Sequence, residues 1–215
     1  SQINPKIQSD GNGGAIITWQ DKRGGIDYDI YAQKINSSGN VLWSANGISI
    51  CTIQGTQSNP KLRPDGSGGA YIIWQDKRTG VNYDVYAQYI NASGSIQWTS
   101  NGLVVCSSLG SQSAIDITID GISNGMIACW KDSRSGYYDI YAQKINTNGT
   151  MAWTTNGIVI SNAGFDQINP SIIGDGEGGA IITWQDSSAG NWNILSQKVN
   201  PNGQVQWSNN GLSLI

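Results

Sequence analysis

Asp21, Arg23 and Asp29 recur along the chain as Asp76, Arg78 and Asp84, and again as Asp132, Arg134 and Asp139. A guanidinium lying between two carboxylates can make a bidentate bond to one and a further contact to the other. Each trio therefore reads first as a staple that fixes a loop at a strand end. The same loops carry Tyr28, Tyr83 and Tyr138, and the corresponding turn of a fourth, divergent copy carries Trp192. Together with Arg23, Arg78 and Arg134 these aromatics would form a rim able to meet an acidic or sugar ligand. In the divergent copy Asp186-Ser187-Ser188 replaces Asp-Lys-Arg, and Trp192-Asn193-Ile194-Leu195 replaces Tyr-Asp-Ile-Tyr. That departure argues against a function needing identical sites in every copy.

Repeated carboxylates raise the question of glycoside hydrolysis, which needs two of them roughly 5 to 9.5 Å apart around one bond. A nearby arginine lowers a carboxyl pKa and spoils it as a general acid, and no pair stands apart from the others. No catalytic residue is therefore expected. Histidine is absent, which removes the commonest general base and metal ligand. Asp10-Gly11-Asn12 and its copies could be taken for calcium loops, yet each offers one or two side-chain oxygens where calcium takes about six to eight ligands. They read as hairpin turns, so neither metal nor cofactor is expected. Cys51 and Cys106 occupy equivalent positions in neighbouring copies, too far apart for a bridge, which needs Cα atoms within about 7 Å. All three cysteines, Cys129 included, should be free and buried.

The elements that position these residues follow from the repeat. Trp19, Trp74, Trp130 and Trp184 are spaced by 55, 56 and 54 residues, and Trp43, Trp98, Trp153 and Trp207 by 55, 55 and 54. Such periods mark stacked supersecondary units. Within the first copy, Pro5 to Ser9 reads as a strand ending at the Gly-rich turn Asp10 to Gly14, which supplies the positive φ angles of a hairpin. The next strand, Ala15 to Trp19, is apolar on nearly every residue, as a strand covered on both faces should be. The loop Gln20 to Asp27 leads to a third strand, Tyr28 to Ile35. After the turn Ser37 to Asn40, an outer strand is expected at Val41-Leu42-Trp43, with Asn46-Gly47 as a bulge or second turn before Ile48-Ser49-Ile50. Both tryptophan series read as core, with sugar stacking as the lesser alternative for the Trp43 series.

No segment has a 3.6-residue apolar period. Four strands per repeat without helix predict an all-β, four-bladed β-propeller built from four repeats of about 55 residues, each of four antiparallel strands. Residues 1–215 read as a single propeller domain with blades at about 1–55, 56–110, 111–164 and 165–215. No strand is exchanged between the chain ends, so closure of a ring would rest on packing between blades. The alternative is that the copies belong to a larger array. Asn36-Ser37-Ser38, Asn91-Ala92-Ser93 and Asn148-Gly149-Thr150 match the glycosylation acceptor pattern and support exposure of the turns that hold them.

The run Gly13-Gly14-Ala15-Ile16-Ile17-Thr18-Trp19-Gln20-Asp21-Lys22-Arg23, followed by Tyr28-Asp29-Ile30-Tyr31-Ala32-Gln33, resembles repeats of large secreted or cell-surface bacterial proteins that often carry adhesion-type or sorting domains. The resemblance runs through the whole chain and implies an extracellular or cell-surface propeller without implying an activity. Net charge is −3 and charged residues are 13% of the chain, with no basic block. That excludes the clustered basic surface of a nucleic-acid binder and a polybasic membrane contact, and no stretch is apolar enough for membrane insertion. The expectation is a non-catalytic binding or structural module with a protein or glycan partner, self-associating or part of a larger repeat protein. A multivalent lectin with one weak site per blade is the alternative, and a glycoside hydrolase the third reading.

Overall fold

The computed structural model describes all 215 residues. The first repeat forms β1 (Gln2–Ser9), β2 (Ala15–Asp21), β3 (Asp29–Ile35) and β4 (Ile48–Cys51). The second forms β5 (Gln57–Pro64), β6 (Ala70–Asp76), β7 (Asp84–Ile90) and β8 (Leu103–Cys106). The third forms β9 (Gln112–Ile119), β10 (Met126–Asp132), β11 (Asp139–Ile145) and β12 (Ile158–Ser161). The fourth forms β13 (Gln167–Gly174), β14 (Ala180–Asp186), β15 (Asn193–Val199) and β16 (Leu212–Ser213). Each set is a four-stranded antiparallel sheet in sequence order, and there is no helix. The fold is the all-β, four-bladed propeller class, with one blade per repeat.

Two local features depart from expectation. The first strand starts earlier than Pro5 because a bulge carries it past the proline: pairing with β2 shifts between Ile3 and Lys6. Asn4 takes a left-handed φ of 51° there, a conformation asparagine tolerates, and its side-chain amide donates to Gln20 Oε1 at 2.6 Å. The outer strand is also displaced. Val41 makes only an isolated bridge to Ile35, and β4 pairs with the first half of β3, from Ile30 to Ala32. Along the second half, Gln33 replaces the ladder with its own amide. Its Oε1 accepts from the Trp43 N–H at 3.1 Å and its Nε2 donates to the Ser44 carbonyl at 2.8 Å.

The chain groups into two compact units, Ser1–Val81 with Val85–Val104, and Asn82–Asp84 with Val105–Ile215. In the first unit Ile16, Ile30, Trp43, Ile50, Leu62, Ile72 and Trp74 form the core. Trp74 is fully buried, and its ring lies against Gly102, where an added Cβ would come within 2.5 Å of it. Gly102 also has a φ of +99°, so glycine is required on both counts. Trp43 donates from Nε1 to the Ala92 carbonyl of the next blade at 3.1 Å.

In the second unit Ile127, Ile140, Trp153, Ile160, Ile172, Ile182 and Trp184 form the core. Trp153 Nε1 reaches the Pro201 carbonyl at 3.0 Å, repeating the Trp43 contact. Trp43, Trp74, Trp153 and Trp184 are thus core residues, whereas Trp19 is half-buried and Trp207 is 38% exposed. The three cysteines are free and buried.

Candidate functional site

The open end of the β2–β3 hairpin sets Asp21 directly across from Asp29. Asp21 is fully buried and accepts from Trp19 Nε1 at 2.8 Å, from the Arg23 N–H at 2.9 Å, and from the Arg23 guanidinium. Burial alone would push its carboxyl up, but these hydrogen bonds outweigh burial and hold it well below the usual carboxylate range. Arg23 also donates to the Asn46 carbonyl at 2.8 Å and lies over the Tyr31 ring at 4.1 Å. The second blade repeats the set. Arg78 pairs with Asp76 at 2.6 Å, donates to the Asn101 carbonyl at 2.8 Å and stacks on Tyr86 at 3.6 Å. In the third, Arg134 pairs with Asp132 at 2.6 Å and stacks on Tyr141 at 3.8 Å.

The staple is therefore an Asp–Arg–Tyr unit, and the bond expected from arginine to the second aspartate is not made in the first blade or the third. The side chain across the hairpin is left without a cation bonded to it, and its titration runs the other way. Burial pushes the Asp29 carboxyl up, and the negative charges of Asp21 and Asp27 push it further. Burial does the same to Asp139, against a 2.6 Å hydrogen bond from Ser135 Oγ. The expectation that a neighbouring cation spoils every carboxylate holds for Asp21 and fails for Asp29 and Asp139.

The expected rim residues do not converge. The arginines are spent on the staple, with side-chain exposures of 34% for Arg23, 17% for Arg78 and 20% for Arg134. Tyr28 and Tyr138 are half-buried beneath Lys22 and Lys131, whose Nζ atoms lie 5.5 and 4.2 Å from the ring centres. Tyr83 is half-buried, and its carbonyl accepts from the Gln112 N–H at 2.7 Å. Trp192 stands exposed on its loop.

What does converge is a cleft of about 470 Å³ at the corner of the first blade, lined by Gly24, Gly25, Asp27, Asp29, Tyr31 and Ser49, among others. Gly24 keeps the loop close to the acid, since a Cβ there would meet Asp29 Oδ2 at 3.0 Å. Asp27 is half-buried and held by the linker after β4, accepting from the Gly55 N–H at 3.3 Å and Thr56 Oγ1 at 3.4 Å. Tyr31 brings a phenol whose pKa burial pushes up. Aligning the copies would have singled out this corner. Asp27-Tyr28-Asp29 becomes Asn82-Tyr83-Asp84, Tyr137-Tyr138-Asp139 and Asn191-Trp192-Asn193, so only the first blade has carboxylates at both positions.

No protein-family model matches the chain, and no curated protein matches it in sequence. Solved structures do match its fold. An endo-1,4-β-xylanase from Bacteroides thetaiotaomicron aligns with a TM-score of 0.55 at 10% identity, over 100% of this chain and 77% of that one. An α-L-arabinofuranosidase from Lactobacillus brevis aligns at 0.50 and 10% identity, over 97% and 76%. A sucrose-6-phosphate hydrolase from Lactobacillus gasseri aligns at 0.50 and 12% identity, over 93% of this chain and 47% of that one. The shared property at such identities is the propeller fold. These proteins with the fold are glycoside hydrolases, and that finding overturns the expectation of a non-catalytic module and of no enzymatic activity.

Proposed function

We propose that this chain is a glycoside hydrolase whose active site is the cleft of the first blade. The observation that carries the reading is the pair Asp27 and Asp29 on one cleft wall, with Asp29 buried and biased toward its protonated form. Hydrolysis of a glycoside requires a carboxylic acid to protonate the leaving oxygen and a carboxylate to act at the anomeric carbon, directly or through water. Asp29 takes the first role because its environment favours the neutral acid. Asp27 takes the second. Asp29 gives its proton to the glycosidic oxygen as the carbon–oxygen bond breaks; water supplies the hydroxyl gained by the anomeric carbon, and the proton it sheds passes to the carboxylate pair, from which Asp29 is reprotonated. Tyr31, fixed by the stacked Arg23, supplies a hydrogen bond to a sugar hydroxyl. A secreted or cell-surface location, suited to the low charge content, belongs to the same reading.

The substrates to try first are arabinofuranosides and β-1,4-xylans, on which the matching arabinofuranosidase and xylanase act. Asp29→Asn should lower hydrolysis of 4-nitrophenyl arabinofuranoside or release of reducing ends from arabinoxylan by about 100-fold or more. Asp84→Asn, in the blade without the second carboxylate, should leave it unchanged. Absence of hydrolysis across a panel of aryl glycosides and polysaccharides, or full activity in Asp29→Asn, would sink the assignment.

A further inference from the structure

In the second and third blades one arginine completes a cluster of buried polar atoms. In the third, Arg134 Nη2 donates to Asp132 Oδ2 at 2.6 Å, to the Asn156 carbonyl at 2.9 Å and to Cys106 Sγ at 3.2 Å. Trp130 Nε1 donates to the same Asp132 Oδ2 at 2.9 Å. The second blade repeats the arrangement: Arg78 Nη2 reaches Asp76 Oδ2 at 2.6 Å, the Asn101 carbonyl at 2.8 Å and Cys51 Sγ at 3.5 Å, and Trp74 Nε1 reaches Asp76 Oδ2 at 2.8 Å. The side chains of Arg78 and Arg134 are 17% and 20% exposed, so the place that each fills borders solvent.

The fourth blade keeps the cluster without the arginine. Ser188 stands at its position, and Ser161 at that of Cys106. Ser188 serves one carboxylate oxygen only: its N–H donates to Asp186 Oδ1 at 2.8 Å, and its hydroxyl donates to the same atom. Asp186 Oδ2 has no hydrogen-bond partner, and neither have Trp184 Nε1 and Ser161 Oγ. Asp186 and Trp184 are 1% exposed and Ser161 is fully buried. The turn beside them is unchanged, since a Cβ on Gly211 would meet Trp184 Cη2 at 2.6 Å just as one on Gly157 would meet Trp130 Cη2 at 2.6 Å. The Asn210 carbonyl therefore takes the place of the Asn156 carbonyl. Three acceptors of the fourth blade, Asp186 Oδ2, Ser161 Oγ and the Asn210 carbonyl, correspond to those that hold a guanidinium in the third.

Buried polar atoms without partners are costly, and a buried carboxylate most of all. The exchange of cysteine for serine adds to that cost, because a buried thiol behaves as a small hydrophobe whereas a hydroxyl needs a partner. Protonation of Asp186 would turn an unpaired acceptor into an unpaired donor and leave the Trp184 N–H as it is. We propose that the fourth blade binds a guanidinium cation, carried by a small molecule or by an arginine side chain, in the place that Arg134 fills in the third. Its planar N–H groups donate to Asp186 Oδ2, Ser161 Oγ and the Asn210 carbonyl. Its weakly hydrated face lies on Leu195, which replaces the tyrosine of the other blades. With the cation bound, Asp186 Oδ2 also accepts from Trp184 Nε1, as Asp132 accepts from Trp130. A divalent metal fits less well: three oxygens fall short of the about six to eight that calcium takes, and an indole N–H only donates.

The Trp184 indole N–H resonance of nitrogen-15-labelled protein reports on the site. Methylguanidinium, at millimolar concentrations far below those at which guanidinium unfolds proteins, should move that resonance saturably, while sodium and tetramethylammonium leave it in place. Asp186→Asn should weaken binding by about tenfold or more. Ser188→Arg should fill the site from within the chain, abolish the response and raise Tm. Circular dichroism checks that both variants fold, and Ser188→Arg keeps the test open if Asp186→Asn does not. Acetyl-arginine amide distinguishes the sources: binding tighter than that of methylguanidinium points to an arginine side chain, and binding of methylguanidinium alone to a free small cation. No saturable shift in the wild type would overturn the proposal. So would an equal shift with sodium, or a response to methylguanidinium that survives in folded Ser188→Arg.

Discussion

At the scale of single residues, Asp21 and Asp29 face each other across one hairpin and titrate in opposite directions. Asp29 has its pKa raised by burial and by the charges of Asp21 and Asp27. Its contribution to stability is present below the unfolded value, near 3.9, and is lost as pH rises through the folded value. Asp21, held low against burial by Arg23 and Trp19, contributes stability above the unfolded value that is lost as pH falls toward the folded one. Because the general acid must be protonated, kcat/KM should fall on the alkaline side as Asp29 ionises. Asp27→Asn removes one of the two charges acting on Asp29, so a carboxyl carbon-13 titration should find Asp29 ionising at lower pH. An unchanged midpoint would remove Asp27 as a cause.

Arg78 makes the complementary case for structure. Arg78→Ala leaves the fully buried Asp76 without its ion pair, and breaking such a pair costs about 3 kcal/mol or more. Urea unfolding should register a loss of that order, and unchanged stability would mean the staple is not structural. The Asp–Arg pair was legible from spacing alone. That Arg23 and Arg134 leave Asp29 and Asp139 unbonded was not, since two residues opposite each other in a hairpin can lie near one cation without both bonding it.

At the scale of elements, the repeat period, the Gly-rich turn and the continuous apolar run were enough to place the blade's first three strands to within a few residues. The fourth was misplaced because Gln33 satisfies the backbone of the Trp43 segment from its own side chain, a substitution for a ladder that no apolar pattern records. The tryptophan positions gave a sound core assignment for Trp43, Trp74, Trp153 and Trp184, while Trp19 is half-buried and Trp207 exposed. Trp43→Ala should therefore cost roughly 3 to 5 kcal/mol, as for a large buried aromatic. Trp207→Ala, with 38% of its residue surface already in water, should cost clearly less in dilute solution. Equal losses in paired urea titrations would mean that Trp207 is buried in the monomer.

For the whole molecule, four repeats and a propeller fold could be read from two tryptophan series, whereas the activity could not, because a fold hosts unrelated functions. The corner pair Asp27 and Asp29 differs from its second and third copies by a single carboxylate, a signal easily lost in a motif that otherwise repeats. What the repeat does determine is how stability is distributed. Each blade is a meander of neighbouring strands, and the outer face of the third is buried by the fourth, where Trp153 lies on the turn at Pro201. Stability in such a chain approximates a sum of repeat and nearest-neighbour terms. Deleting the fourth blade after Asn162 should then expose Trp153 much as Trp207 is exposed in the full chain, while the remaining three blades stay folded. The denaturant slope m, which follows the surface exposed on unfolding, should fall by roughly one quarter, and the midpoint should fall because one interface is gone. Loss of all sheet signal in the shortened chain would instead mean that the blades stand only as a set, and the nearest-neighbour account would fail.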